Sequence, residues 1–206
     1  MGPERTPTRA ALLELGAERL VVDEAYEFLD EKRLLLAAEL LRELRRYEQQ
    51  LARLQESTRR ANRRLAGAVQ RHGLQGLLVY PVAVLAGARV AVARRNLMGV
   101  TLQETVLQIP DAGGAGRTLA SNPSPEALRC ADAFRELVEL GALLAGISGN
   151  LYRLYAEYRL TERRARALEN VILPEIEQAL QQMSARLEEQ DLEDTMRARR
   201  LAGRRQ

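Results

Sequence analysis

Ala133 to Ile172 reads AFRELVELGALLAGISGNLYRLYAEYRLTERRARALENVI, and the spacing of its apolar and small residues decides the fold. Ala133, Leu137, Leu140, Leu144, Ile147, Leu151, Leu154, Tyr158, Thr161, Ala165, Leu168 and Ile172 follow one another in alternating steps of four and three. That is the heptad seam of a helix that lies along a partner helix. Ile176, Ala179, Met183 and Leu187 continue it after a shift of one position. Pro174 sits at the shift, and its missing N–H predicts a kink there. Upstream, Ser121-Asn122-Pro123-Ser124-Pro125-Glu126 is a helix start, with Ser124 as cap and Pro125 at the first position. A helix from there to about Arg200 would reach roughly 110 Å.

A seam needs a second helix, and the other long segment without proline runs from Arg9 to Arg71. It opens on Thr6-Pro7-Thr8-Arg9, with Thr8 or Thr6 as cap. It ends on Arg71-His72-Gly73, with cationic residues in the last turn and a glycine stop. Its expected seam is Leu44, Tyr47, Leu51, Leu54, Thr58, Ala61, Leu65 and Ala68, extended less strictly by Leu29, Leu36 and Leu40. Arginines, among them Arg42, Arg45, Arg53, Arg59 and Arg63, occupy the outward faces.

Between the helices the composition changes. Proline, glycine and short β-branched runs appear from Leu74 to Asn122. Ala88–Arg95 alternates around Val90 and Val92, and Val100–Leu107 alternates less cleanly, so the pair predicts a β-hairpin. Asp111-Ala112-Gly113-Gly114-Ala115-Gly116 predicts a loop. The expected architecture is mainly α: a long antiparallel two-helix coiled coil with a small β-hairpin-containing insertion at the turn. Residues 1–73 form its first helix, 74–122 the insertion and 123–206 the returning helix. An antiparallel return is expected because a parallel one would need a connection spanning the whole length.

Composition agrees with a thin seam. Ala, Glu, Lys, Leu and Arg supply 119 of 206 residues, more than the share of about half that marks long helices. There is no Trp, and there are only two Phe and six Tyr. Lys32 is the one lysine among 31 basic residues; a genome rich in G and C explains that bias, as would contacts to carboxylates. With Lys32 preceded by Glu31, no Gly-Lys-Ser/Thr phosphate loop is present. One His and one Cys exclude a Cys/His zinc site within the chain. His72 reads as a helix-end residue and Cys130 as core packing; no paired general acid and base emerges, and no cofactor is expected. Glu188, Glu189, Asp191, Glu193 and Asp194 read as a solvated acidic face. No signal pattern occupies Met1–Leu15, and the best apolar run, Leu77–Ala88, is too short to span a bilayer and holds Pro81. The basic tail from Thr195 could meet nucleic acid, a helix dipole or an acidic protein, but no aromatic residues are interleaved for base stacking.

Three separated stretches resemble one family, the D subunits that form the central shaft of the rotary V-type and A-type ATPases and ATP synthases. The first is Thr6-Pro7-Thr8-Arg9 with Leu12, Leu15 and then Lys32-Arg33, where Leu34 replaces the family's Asp. The second is Asn96-Leu97-Met98-Gly99-Val100. The third is Arg166-Ala167-Leu168-Glu169-Asn170-Val171-Ile172-Leu173-Pro174 followed by Leu187-Glu188-Glu189 and an acidic stretch. The resemblance implies a non-catalytic rotor on the cytoplasmic face of a membrane, held there through its complex without inserting into the bilayer. The paired termini would enter a ring of catalytic and nucleotide-binding subunits, where Arg9, Arg197, Arg199 and Arg200 would meet carboxylates. The insertion, with Asn96 to Val100, would face the small F subunit of the rotor and the component that docks on the membrane ring. The alternative is a helical-hairpin adaptor that does not rotate; a nucleic-acid-binding hairpin ranks last.

Overall fold

Thr8 begins the first helix: its Oγ1 accepts a hydrogen bond from Ala11 N–H at 3.1 Å and its carbonyl takes Leu12 N–H at 3.0 Å. This is the exchange an N-cap makes. The computed structural model describes residues 8–78, 80, 88–109 and 124–203. Thr6, Pro81, the Asp111–Gly116 loop and Ser121–Pro123 lie outside the described residues. Helix α1 spans Arg9–Leu77, β1 Arg89–Leu97, β2 Val100–Gln108 and α2 Pro125–Ala167. A π-helical turn, Leu168–Ile172, then leads into α3, Leu173–Gly203. The fold is mainly α with an antiparallel hairpin between its long helices. Within α1, Gly73 leaves helical geometry at φ 69° and ψ 164°, and helix resumes beyond it. A positive φ is what glycine tolerates, but the extended ψ makes this an interruption instead of a left-handed stop.

The chain forms two units, Met1–Leu35 with Tyr158–Gln206, and Leu36–Glu157. In the first, α1 and α3 share a core of Leu15, Ile176 and Met183, flanked by Ala11, Leu12, Val22, Ala179, Leu180 and Leu187. Burial of each large apolar side chain there contributes about 2 kcal/mol. Arg9 pairs with Asp191 at 2.9 Å and Arg19 with Glu177 at 3.1 Å, so the two helices run antiparallel. Thr161 and Ala165 are buried as the heptad predicts. The one-position shift beyond Ile172 is absorbed by the π turn. Leu173 N–H bonds the carbonyl of Leu168, five residues back, which places one extra residue in that turn. Asn170 Nδ2 donates to the Arg166 carbonyl at 3.1 Å beside it.

In the second unit, Arg60 pairs with Glu136 at 2.5 Å and Arg71 with Glu126 at 2.7 Å, so α1 and α2 also run antiparallel. Cys130, Ala133, Ile147 and Leu154 are buried on α2, and Leu36, Ala61 and Ala68 on α1. The expected α1 seam needs one correction. Leu44, Thr58 and Leu65 are exposed, while Glu43 and Ser57, each one residue before an expected position, are buried. Tyr47, Leu51 and Leu54 are half-buried. The buried stripe therefore follows Leu36, Glu39, Glu43 and Ser57 as much as the leucines. A carboxylate can occupy such a position only with a charge partner, and the hairpin supplies one. Arg95 of β1 bonds the Glu39 carboxylate and lies 3.8 Å from that of Glu43.

The hairpin is a straight antiparallel register from Leu97↔Val100 to Arg89↔Gln108. Its two-residue turn, Met98-Gly99, has φ 49° and 88°. Two positive φ values match the right-handed twist of the flanking strands. Asn96 Oδ1 accepts Gly99 N–H at 3.1 Å and closes the turn. Strand β2 is seated on α2. Thr105 Oγ1 donates to the Ala142 carbonyl at 2.9 Å, and a Cβ on Gly146 would collide with that hydroxyl oxygen. Only glycine allows this approach.

Candidate interaction surfaces

Among the described residues, the cluster that most resembles catalytic chemistry is at the start of α2. Ser124 Oγ lies 2.6 Å from His72 Nε2 and 2.9 Å from Glu126 Oε2. A hydroxyl has one proton. Given to the Glu126 carboxylate, it leaves Ser124 as acceptor and His72 Nε2 as donor. In a nucleophilic triad the imidazole takes the serine proton and the acid orients the imidazole; here the acid holds the serine. The cluster ties the end of α1 to the cap of α2, and Tyr80 packs edge-on against His72 with ring centres 5.6 Å apart. A bond to Glu126 from the backbone, the Ser124 hydroxyl and the nearby Arg71 charge hold its carboxyl below the ordinary value of 4.5, against a smaller desolvation in the other direction. Burial pushes the Cys130 thiol up, away from the reactive thiolate. No group of three or more His, Cys, Asp or Glu among the described residues is arranged to hold a metal ion. No helix among them is long and apolar enough to cross a membrane.

Other candidates among the described residues are surfaces. Arg9 lies at the start of α1, and its Nη2 reaches both oxygens of Asp191, at 2.9 and 3.1 Å. Arg197 pairs within its own helix with Glu193 at 3.0 Å and Asp194 at 3.6 Å. Arg199 and Arg200 are exposed and have no ion pair among the described residues. Arg9 and Arg197 therefore share one end of the first unit, each beside a carboxylate of the acidic face. At the hairpin, Asn96 and Gly99 are exposed and Leu97 and Met98 half-buried, whereas Val100 is 6% exposed and faces inward.

Two apolar faces stand outside the seams. On α1 of the first unit, Leu13, Leu20, Val21, Phe28, Leu34 and Leu35 are exposed at near-heptad intervals. On α2 of the second unit, Leu128, Phe134, Val138, Tyr152 and Tyr155 do the same, Tyr152 at 77%. Sequence reasoning took one stripe per helix and missed both. The signal was present in the all-round apolar content of each helix, which marks contact on more than one side.

The described residues thus pair their long helices antiparallel, carry a hairpin between those helices in the chain, and leave two apolar faces exposed. The sequence profile of the ATP synthase D-subunit family matches residues 11–203. The chain belongs to the ATP synthase D-subunit family. It is 32% identical over 200 residues to the D subunit of a V-type ATP synthase from Anaeromyxobacter dehalogenans, covering 96% of this chain and 95% of the relative. The D subunit of an A-type ATP synthase from Thermococcus sibiricus is 29% identical over 204 residues, covering 95% and 92%. The V-type D subunit of Thermotoga neapolitana is 25% identical over 195 residues, covering 95% of each. As a member of the D-subunit family, the chain works as one part of an ATP synthase complex, beside its other subunits.

Proposed function

We propose that this chain is the central rotor shaft of a V/A-type ATPase or ATP synthase, itself non-catalytic. It couples ATP synthesis or hydrolysis in a surrounding ring to ion translocation through the membrane. The observation that carries the reading is the antiparallel pairing of α1 with α3 around Leu15, Ile176 and Met183, braced by Arg9–Asp191 and Arg19–Glu177. Torque twists one helix past another, and interdigitated side chains with cross-helix ion pairs resist that motion. The exposed apolar residues of α1, together with Arg9, Arg197, Arg199 and Arg200, face the catalytic and nucleotide-binding ring subunits. The ring's sites then change state as different faces of the shaft pass them. The hairpin, through Asn96, Leu97, Met98 and Gly99 with Val100 as its inward anchor, faces the small F subunit of the rotor and the component that docks on the membrane ring. In this proposal the chain lies peripherally on the cytoplasmic face, held there through the complex.

Rotation separates a shaft from a static adaptor. Arg94, exposed on β1, is replaced by Cys in the assembled complex, a gold particle is attached there, and the ring is immobilised. ATP should drive one-directional rotation of the particle. A particle that stays fixed while ATP is hydrolysed would refute the shaft and leave the adaptor. Replacing Arg9, Arg197, Arg199 and Arg200 together by Ala should weaken recovery of the ring with the chain.

A further inference from the structure

The stretch Arg42–Arg71 of α1 holds nine arginines and three acids, Glu43, Glu48 and Glu56. That local excess of positive charge is twice the +3 of the entire chain. The arginines divide sharply by partner. Arg42, Arg46, Arg60 and Arg71 pair with Glu39, with Glu43 and Glu104, with Glu136, and with Glu126. Arg45, Arg53, Arg59, Arg63 and Arg64 are exposed and have no ion pair among the described residues. Arg45, Arg59 and Arg63 point within about 40° of one another around the helix, and Arg45 to Arg63 covers about 27 Å of its length. The buried positions Glu43, Ser57, Ala61 and Ala68 lie away from that direction, so the charged face is turned outward from α2. A cleft of about 270 Å³ at its margin, between Arg53 and Arg60, already contains Glu56 and Glu136 and is neutralised from within.

A genome that favours Arg over Lys explains the residue type. It does not explain why five exposed arginines without an ion pair gather here against only two exposed acids, Glu48 and Glu56. Like charges on one helix face destabilise it, so such a face persists where something compensates it.

We propose that this face of α1 binds a carboxylate-rich protein surface, an acidic helix or loop of another subunit. Guanidinium groups take carboxylates through two parallel hydrogen bonds, and every cation here is Arg. The face carries no exposed aromatic residue on which bases could stack, which disfavours single-stranded nucleic acid. Large apolar anchors are also absent between Arg45 and Arg63, for Leu51 and Leu54 belong to the half-buried seam. An interface built without an apolar centre depends on charge for its strength and its approach rate, and is weakened by salt. The contact rests on the chain's place in a multisubunit complex, and not on rotation.

The test places a photoreactive p-benzoyl-phenylalanine at Arg45, Arg59 or Arg63 of the full chain, in cells that make the whole complex. Irradiation and mass spectrometry identify what is captured. The expected product is a peptide rich in Asp and Glu from another subunit, with a yield that falls severalfold between low and high salt. The variant Arg45→Glu, Arg59→Glu, Arg63→Glu should lower recovery of that partner about tenfold; if it fails to fold, Arg→Gln at the same sites replaces it and should act in the same direction. Captured nucleic acid, a captured segment without acids, no capture from any of the three sites, or unchanged recovery would each overturn the proposal. A complex that contains the acidic partner on this face but whose shaft does not turn would refute only the rotor reading.

Discussion

The side-chain amide of Asn150 hydrogen-bonds the main chain of Gln103 twice: Oδ1 accepts Gln103 N–H at 2.8 Å and Nδ2 donates to the Gln103 carbonyl at 2.8 Å. A helix residue thus plays the part of a third strand and satisfies the open edge of β2, where unpaired groups would otherwise recruit another chain. Arg153 Nη2 donates to the same Oδ1 at 2.7 Å and fixes the amide.

Replacing Asn150 by Ala should therefore cost about 2 kcal/mol, because two main-chain groups lose partners in a site where Asn150 itself is 2% exposed. Urea unfolding measures the loss, and hydrogen exchange at the Gln103 amide should quicken with it. An unchanged Gln103 amide would show that the hairpin is held by other contacts.

Met98 occupies the left-handed region at φ 49° without being glycine. The conformation costs an L side chain about 1 kcal/mol, so Met98→Gly should leave the isolated chain as stable or slightly more so. If the methionine is kept for a partner of the hairpin, the same variant should bind the complex less well. Thermal unfolding of the chain alone, beside recovery of the complex, reads the two effects separately.

The π turn has two candidate causes, and they predict different variants. Pro174 lacks an N–H, but the seam also contains one residue too many between Leu168 and Ile176 for a heptad. If the seam is the cause, Pro174→Ala keeps the wide turn, and deletion of Val171 in that background converts it to regular α-helix. Crystal structures of the two variants decide between them.

Glu126 gives a pH dependence of known sign. Its folded carboxyl lies below 4.5, held there by hydrogen bonds and by Arg71. The favourable contribution is therefore complete above the unfolded value and is lost as pH falls through the folded one. Glu126→Gln should remove this part of the acid sensitivity, seen as a flatter plot of thermal midpoint against pH below about 4.5. A plot that keeps its slope would place the acid sensitivity elsewhere.

The second helix was legible almost residue by residue. Ala133, Ile147, Leu154, Thr161 and Ala165 are all buried where alternating steps place them, and only Ile172, at 37%, is exposed. The first helix was legible in extent but not in phase. A scan for heptad positions chose Leu44 and Thr58 over Glu43 and Ser57, because part of the charge beside the buried Glu43 arrives from Arg95, far along the chain on β1, and adds to that of Arg46 on the same helix. The hairpin was visible from β-branched alternation and from Gly99, yet its seat was not. Gly146 reads as one more small residue until Thr105 is seen against it. Surface function was the least legible, since an exposed leucine and a seam leucine look alike in a string, and only a fold separates them.

The wide turn before Pro174 has a bearing on how this protein can vary. Because one surplus residue is stored there, the contacts upstream and downstream keep separate phase. A single insertion or loss near this joint can be taken up locally, as slack is taken up in a rope, without moving Met183 or Leu187 off the neighbours they touch. Elsewhere in either helix the same change would turn every later side chain by about 100°.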